Sequence, residues 1–325
     1  MKHILITGGA GFIGYHLALR LCQGKNNSID IVDDLTRGKC DKDFKSLISQ
    51  PSVNFIEGDL TKRETTKKLT RKYDAVYHLA AILGVRNVNK RPQDVIRVNA
   101  LSTLNILDWF VQSESKKLLF SSTSETYAWT GQFFELPIPT PEDVPLSLTD
   151  LHNPRITYAG SKIFGELAVT QYCIQNQKSF TIMRYHNVYG PRMGMEHVIP
   201  EIFFRAKMGE NPLIVFSPDH SRAFCYIDDA IEATIRSMRN RYTNGKTINI
   251  GNDLEEIRIE DLAKRILSHA NIGVDIVFDI NINDPIIRRC PDITLARELL
   301  DYKPLVSLDQ GLEKTIAWYS HDFDR

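Results

Sequence analysis

The chain has 325 residues, of which 42% are hydrophobic, with 40 basic and 40 acidic side chains. A balanced charge gives no net field to draw nucleic acid or an anionic membrane, and the apolar content is that of a packed globular protein. The length allows one large α/β domain or two modest ones.

In chain order, the first 120 residues alternate two patterns. "HILIT", "SIDIVD", "VNFIEGD", "DAVYHLA" and "KKLLFSS" are short, apolar and rich in β-branched residues, while segments such as 13–24 and 94–113 carry a helical period. Strands separated by helices predict βαβ units and a parallel sheet buried on both faces. The first strand continues into glycines without a cleavage site, so it reads as buried strand and not as a signal peptide. "ELPIPTPEDVPL", 135–146, cannot be helix interior and predicts an extended loop or lid. A helix is expected from about Tyr158 to Gln175, then a strand and loop in "FTIMRYHNVYG". Beyond residue 190, small strands ("PLIVF", "TINIG", "VDIVF") mix with helices at 199–209, 228–239, 260–270 and 307–320, the last opening at Ser307 and Asp309. The reading is a Rossmann-type doubly wound parallel sheet with a smaller carboxy-terminal α/β lobe. Residues 1–190 form the dinucleotide-binding domain and 191–325 a substrate lobe, partly interleaved with it. No apolar run reaches a membrane span. Five cysteines are scattered without a Cys-x-x-Cys pair, and nine histidines show no His-Glu-x-x-His, so neither a disulfide framework nor a metal site is expected and the thiols read as reduced and cytoplasmic.

"HILITGGAGFIG" sets Gly8, Gly9, Gly11 and Gly14 between a strand and a helix. Glycines there allow a tight turn and let a pyrophosphate approach the helix amino terminus. Asp33 ends the next strand about twenty residues beyond Gly14, where a carboxylate binds both ribose hydroxyls and repels a 2′-phosphate, so NAD is expected over NADP. Arg37 pulls the other way, as a partner for a 2′-phosphate or simply a surface residue. Asp59 and Leu60, and Leu79, Ala80 and Ala81, follow later strands at the edge where a cofactor would lie, although each taken alone is a strand-end turn.

"TYAGSK" puts Tyr158 and Lys162 at i and i+4 on one helix face. A neighbouring ammonium favours the phenolate, which makes Tyr158 a candidate base for a sugar hydroxyl. Upstream, "SSTSETYAW" ends the fifth strand with a row of hydroxyls and one carboxylate, Glu125.

Taken together, "TGGAGFIG", Asp33, "GDL", "HLAA", Asn99, "SSTSE", "YAGSK", "RYHNVYGPR", "RAFCYIDDA" and "RCPDI" resemble, in order and over nearly the whole chain, an extended short-chain dehydrogenase/reductase of the NAD-dependent nucleotide-sugar epimerase/dehydratase group, in particular its UDP-glucuronate decarboxylases and epimerases. The resemblance implies NAD held by Gly8, Gly11, Phe12, Ile13, Gly14, Asp33, Asp34, Asp59, Leu60, Leu79, Ala80, Ala81, Asn99 and Tyr185. It implies that Thr123 hydrogen-bonds the reacting hydroxyl and that Tyr158 removes its proton as C4 gives up hydride. Lys162 would hold the nicotinamide ribose and lower the tyrosine pKa. For the substrate, a UDP- or GDP-linked sugar, it implies Arg86, Ser124, Asn187, His197, Val198, Arg222 and Arg289, with the two last clamping diphosphate or nucleotide ribose.

The fate of the 4-keto sugar stays open between epimerisation and decarboxylation. A 4,6-dehydratase using Glu125 at C5, a simple 4-dehydrogenase or ketoreductase, and a non-catalytic NAD sensor are the alternatives. Thr-Ser-Glu resembles decarboxylases and some dehydratases, and Gly-Val-Arg around Arg86 resembles epimerases of nucleotide uronates. Thr126–Tyr127–Ala128 followed by Trp129 departs from the family's usual Val-Tyr-Gly. His186 and His197 read as packing more than chemistry. The resemblance also implies a homodimer built on the helices near 94–113 and 158–175.

Overall fold

The computed structural model of the protein describes residues 2–24, 26–280 and 286–323. Its strands are β1 (Lys2–Thr7), β2 (Asn27–Asp33), β3 (Val53–Glu57), β4 (Ala75–His78), β5 (Lys117–Thr123), β6 (Ser179–Tyr185), β7 (Val188–Tyr189), β8 (Leu213–Phe216), β9 (Ser221–Ala223), β10 (Cys225–Tyr226), β11 (Lys246–Ile250), β12 (Glu256–Arg258), β13 (Ile276–Asp279) and β14 (Arg288–Arg289). A seven-stranded sheet runs in the order β11-β6-β5-β4-β1-β2-β3, and β1–β2, β1–β4, β2–β3 and β4–β5 all pair in parallel. This is the doubly wound arrangement expected. The strand order reverses between β1 and β4, so the crevice at their carboxyl ends is where such sheets take a ligand. Thr7 stands opposite His78 at that point.

By contact, the chain divides into two compact units. The first takes residues 1–126, 148–184 and 231–248, and the second takes 127–147, 185–230 and 249–325. A single cut at residue 190 therefore does not separate them. "TINIG", read from sequence as part of the lobe, supplies β11 at the edge of the main sheet. Its partner β6 is some sixty residues earlier, and the apolar alternation of an edge strand looks the same in either place.

In the first unit, a core of Leu5, Val32, Val76, Ile106, Phe110, Leu118, Phe120, Val169 and Ile182 lies between the sheet and its helices. The helix Pro92–Gln112 opens with proline at its first position, where a missing N–H costs nothing. It packs along the helix Ile156–Gln175. That second helix comes unusually close to β5, because a Cβ on Gly165 would stand 2.3 Å from Phe120 Cζ. In the second unit, β7 pairs with β10, β8 with β13, and β9 lies between β12 and β14. The closing helix Leu308–Phe323 begins with a capping box: Gln310 N donates to Ser307 Oγ at 3.4 Å and Ser307 N to Gln310 Oε1 at 3.2 Å. Asp309, expected to share that role, instead pairs with Arg265 at 3.1 Å. The proline-rich stretch 135–146 contains no helix. Among the described residues no helix is long and apolar enough to cross a membrane.

Gly165→Ala is expected to push the Ile156–Gln175 helix off β5 and cost about 1–3 kcal/mol, measurable by urea unfolding. An unchanged midpoint would show that the contact with Phe120 is slack.

Candidate active site

The glycine turn after β1 is tightly folded on itself. A Cβ on Gly14 would lie 2.2 Å from the Gly8 carbonyl oxygen, so the first turn of the helix Phe12–Cys22 meets the loop at a distance no other residue allows. Gly11 caps this helix without a side-chain hydrogen bond, and the first turn, holding half-buried Phe12 and Ile13, has no acidic residue. The end therefore presents backbone N–H groups and the positive pole of the dipole to an anion. Asp33 is buried at the end of β2. Its Oδ2 accepts from Ala10 N at 3.0 Å and its Oδ1 from Leu35 N at 2.9 Å, which fixes the carboxylate beside the loop. This cradle fits a dinucleotide, with pyrophosphate at the helix end and a ribose diol at the carboxylate.

Leu79 and Ala80, with Ala81 half-buried beside them, lie across the switch point, where Leu79 N donates to Thr7 O at 3.1 Å and Ala80 N to Thr7 Oγ1 at 3.4 Å. Buried Asn99 joins this edge to the Ile156–Gln175 helix. Its Oδ1 accepts from Ile82 N at 2.7 Å and its Nδ2 donates to Ser161 Oγ at 3.0 Å. Three other predicted cofactor residues have local partners. Asp59 turns its carboxylate to its own turn, accepting from Thr61 N and Thr61 Oγ1. Leu60 belongs to the core. Exposed Asp34 caps a turn through Thr36 N. Tyr185 is buried at the end of β6 and falls in the second unit.

β5 delivers Thr123 at its carboxyl end, followed by a 3-10 turn, Ser124–Tyr127. Glu125 N donates to Thr123 Oγ1 at 3.2 Å, and Thr126 Oγ1 donates to Thr123 O at 2.8 Å, so the turn is built on the threonine. Ser124 is buried and Glu125 half-buried. Tyr158, half-buried on the first turn of its helix, hydrogen-bonds Thr123. Burial pushes its phenol up to about 12; the Arg37 charge and the Thr123 bond oppose the shift, and the Glu125 charge adds to it. Three side chains from two stretches, Arg37 and the turn holding Thr123 and Glu125, thus act on one hydroxyl. Arg37, read from sequence as a phosphate partner or a surface residue, carries an exposed side chain whose charge reaches Tyr158.

Lys162 is buried. Its Nζ donates to Ser121 O at 2.6 Å and lies 4.8 Å from the Phe120 ring centre and 6.0 Å from that of Tyr158. Burial lowers its pKa to about 7, against the pull of Glu166. The expected lowering of the tyrosine by this lysine is therefore not the state of the protein alone: burial dominates both groups. Behind Lys162 lies an arrangement the sequence reading missed. Glu166, one turn further along the same helix, receives Ser122 Oγ on Oε1 and the Arg184 guanidinium on both oxygens, at 2.9 and 2.7 Å. All three side chains are buried. The i, i+4, i+8 spacing of Tyr158, Lys162 and Glu166 was a usable signal for the glutamate, whereas Arg184 had none.

The second unit gathers the remaining candidates. Arg289 on β14 stands opposite Arg222 on β9. Asn187 Nδ2 donates to Ala223 O at 3.0 Å, beside Arg222. The Arg222 guanidinium donates to the carbonyls of Ser221, Ile286 and Ile287 at 2.8–3.0 Å. His197 and Val198 form the amino-terminal end of the helix Val198–Lys207. Arg86 and Glu125 belong to the first unit, with Arg86 exposed just after Gly84. A buried hub also escaped the sequence reading. Asn249 Oδ1 meets Tyr127 OH at 2.8 Å and His186 Nε2 at 3.1 Å, while its Nδ2 donates to Thr140 O and Asp292 O at 3.0 and 3.1 Å. Among the described residues no group of acidic, histidine or cysteine side chains could hold a metal.

The profile of the NAD-dependent epimerase/dehydratase family matches residues 4–251. The UDP-N-acetyl-alpha-D-glucosaminuronate decarboxylase of Bacillus cytotoxicus is 34% identical to this chain, over 98% of each. UDP-glucuronic acid decarboxylase 5 of Arabidopsis thaliana is 32% identical, over 95% of this chain and 86% of its own. Among solved structures, a UDP-glucuronic acid 4-epimerase from Bacillus cereus, in complex with NAD and a fluorinated UDP-sugar, superposes with a TM-score of 0.86 at 27% identity, covering 98% of this chain and 99% of that one. The chain belongs to the NAD-dependent epimerase/dehydratase family and is an enzyme with NAD as its cofactor.

Proposed function

We propose that the enzyme oxidises C4 of a UDP-linked uronate and then removes its carboxyl group. The observation that carries this reading is Glu125: a carboxylate two residues past Thr123, close enough for its charge to be felt at Tyr158. The two decarboxylases similar over nearly the whole chain support it.

NAD would supply a hydride acceptor for C4, the means to return that hydride, and a positive charge. The glycine turn of Gly8, Gly11 and Gly14 would hold its pyrophosphate and Asp33 its adenosine ribose, with Leu79, Ala80, Ala81 and Asn99 shaping the far side. Tyr158 accepts the 4-hydroxyl proton, Thr123 orients that hydroxyl, and Lys162 lends positive charge. The 4-keto group makes the C6 carboxylate a β-keto acid. The C5–C6 bond then breaks, carbon dioxide leaves, and the electron pair is held as an enolate. Glu125 manages the proton delivered to C5, drawn from water, and Tyr158 gives its proton back to the C4 oxygen as the ketone is reduced. Arg222, Arg289 and Asn187 serve the nucleotide diphosphate, with His197 and Val198 beside the base, and Arg86 serves the sugar carboxylate.

A second reading, 4-epimerisation without loss of carbon, is favoured by the likeness to the UDP-glucuronate 4-epimerase structure. Exposed Ile96, Phe164, Leu167 and Ile174 on the helices Pro92–Gln112 and Ile156–Gln175 support a homodimer through those helices, and five unbridged cysteines support a reducing, cytoplasmic setting.

UDP-glucuronate and UDP-N-acetylglucosaminuronate labelled at C6 should yield labelled carbon dioxide and a UDP-pentose. A product that keeps its label with C4 inverted would move the assignment to epimerase, and no product from either would sink both readings. Tyr158→Phe should lose about 10²–10⁴-fold in turnover. Glu125→Gln should slow protonation at C5, and with it formation of the UDP-pentose, about 10²-fold in a single turnover while NADH still forms, seen by absorbance. Gly14→Ala should weaken NAD binding by at least about tenfold in a fluorescence titration.

A further inference from the structure

Two polar clamps hold the Ile156–Gln175 helix on β5, one turn apart. Consecutive residues of the strand supply them: Ser121 O receives Lys162 Nζ at 2.6 Å, and Ser122 Oγ donates to Glu166. The first clamp reaches the reacting tyrosine, and the second touches neither substrate nor cofactor groups described above. Glu166 is nonetheless buried, with its charge met by Arg184 from β6. A buried ion pair kept in that place needs a reason beyond packing, since apolar residues of similar volume in place of both members often fill such a site at no loss of stability.

The groups around Lys162 come from four elements. β4 offers His78, which burial, chiefly, and the lysine charge push down to about 3, so it is neutral. Its ring is fixed between Thr7 Oγ1 at 2.8 Å and Thr103 Oγ1 at 3.2 Å. β5 offers the Ser121 carbonyl and the Phe120 ring, and the helix itself offers Tyr158 on one side and Glu166 on the other. β6 offers Arg184, through Glu166. Glu166 is the anion among these that favours the charged lysine, and Arg184 balances it.

We infer that Glu166 is a positioning residue: clamped by Ser122 and Arg184, its carboxylate keeps the ammonium form of Lys162 in the site. This rests on the assignment of Tyr158 as base and Lys162 as its cationic neighbour. It makes Glu166 and Arg184 an opposed pair that sets the pH at which the lysine loses its proton. With Lys162 already near neutrality from burial, a change of one charge nearby moves it through the working range.

The alkaline limb of the kcat/KM profile reports this. Glu166→Gln keeps the shape and one acceptor but loses the charge, and leaves Arg184 uncompensated. Its alkaline limb should move to lower pH by about one unit, with turnover at pH 8 down about tenfold and thermal midpoint checked separately. Arg184→Met should move the limb the opposite way, to higher pH, whereas damage to the fold would lower activity without opposite shifts. A Lys162 side-chain NMR titration of the wild type and Glu166→Gln protein supplies the same comparison without turnover. A folded Glu166→Gln protein with an unmoved limb and an unmoved lysine titration overturns the inference, as does an Arg184→Met limb displaced in the same direction as Glu166→Gln. If Arg184→Met does not fold, Glu166→Gln alone decides. An active Tyr158→Phe variant would instead overturn the underlying base assignment.

Discussion

The hydrogen bond from Lys162 Nζ to the Ser121 carbonyl, inside a buried strand–helix seam, is the contact to which the rest of the first unit is fitted. It is reachable only because Gly165 lets the helix close on Phe120. With the helix at that distance, Tyr158 falls beside Thr123 and Asn99 can span from the switch-point edge to Ser161. Packing and the Tyr158–Thr123 contact are therefore one constraint here: a helix held farther from β5 would have its side chains in water and Tyr158 off the threonine.

Burial is the cost of that closeness. An isolated ammonium in such a seam loses several kcal/mol of hydration, and an unpaired carboxylate behind it would lose as much. The protein answers with partners from different strands: Ser121 for the lysine, and Ser122 and Arg184 for Glu166. Taking away one member of the Glu166–Arg184 pair would leave a buried charge, at about 3–5 kcal/mol. His78, equally deep, takes the other course and stays neutral between two threonines. One seam thus holds both solutions to the same electrostatic problem.

What could be read in the sequence follows the range of the interactions. The glycine turn, Asp33, and the Tyr158–Lys162 spacing are local, set by helix geometry and by how close a backbone must come to a phosphate, so residue types at short spacing reveal them. The alternating strands and helices of the first 120 residues were legible for the same reason. Asp59 and Leu60 show the limit: a motif that marks a strand end says nothing of which way its side chains point, and here one closes a turn and the other enters the core. Arg184, Asn249 and the placement of β11 were invisible because each depends on partners many residues away, and an arginine or asparagine in a strand looks alike whether it faces solvent or a buried carboxylate.

The Asn249 hub has a consequence for how this chain can change over time. Thr140, in the middle of the proline-rich stretch, exchanges backbone hydrogen bonds with Cys290 and Asp292, while Asn249 holds the same two segments from within. The stretch 135–146 and the segment that follows Arg289 are thus zipped together in the second unit. A new loop borrowed from a relative would not be a modular exchange. It would have to arrive with a matching 289–292 segment, because the backbone partners of Thr140 and the Asn249 amide lie there.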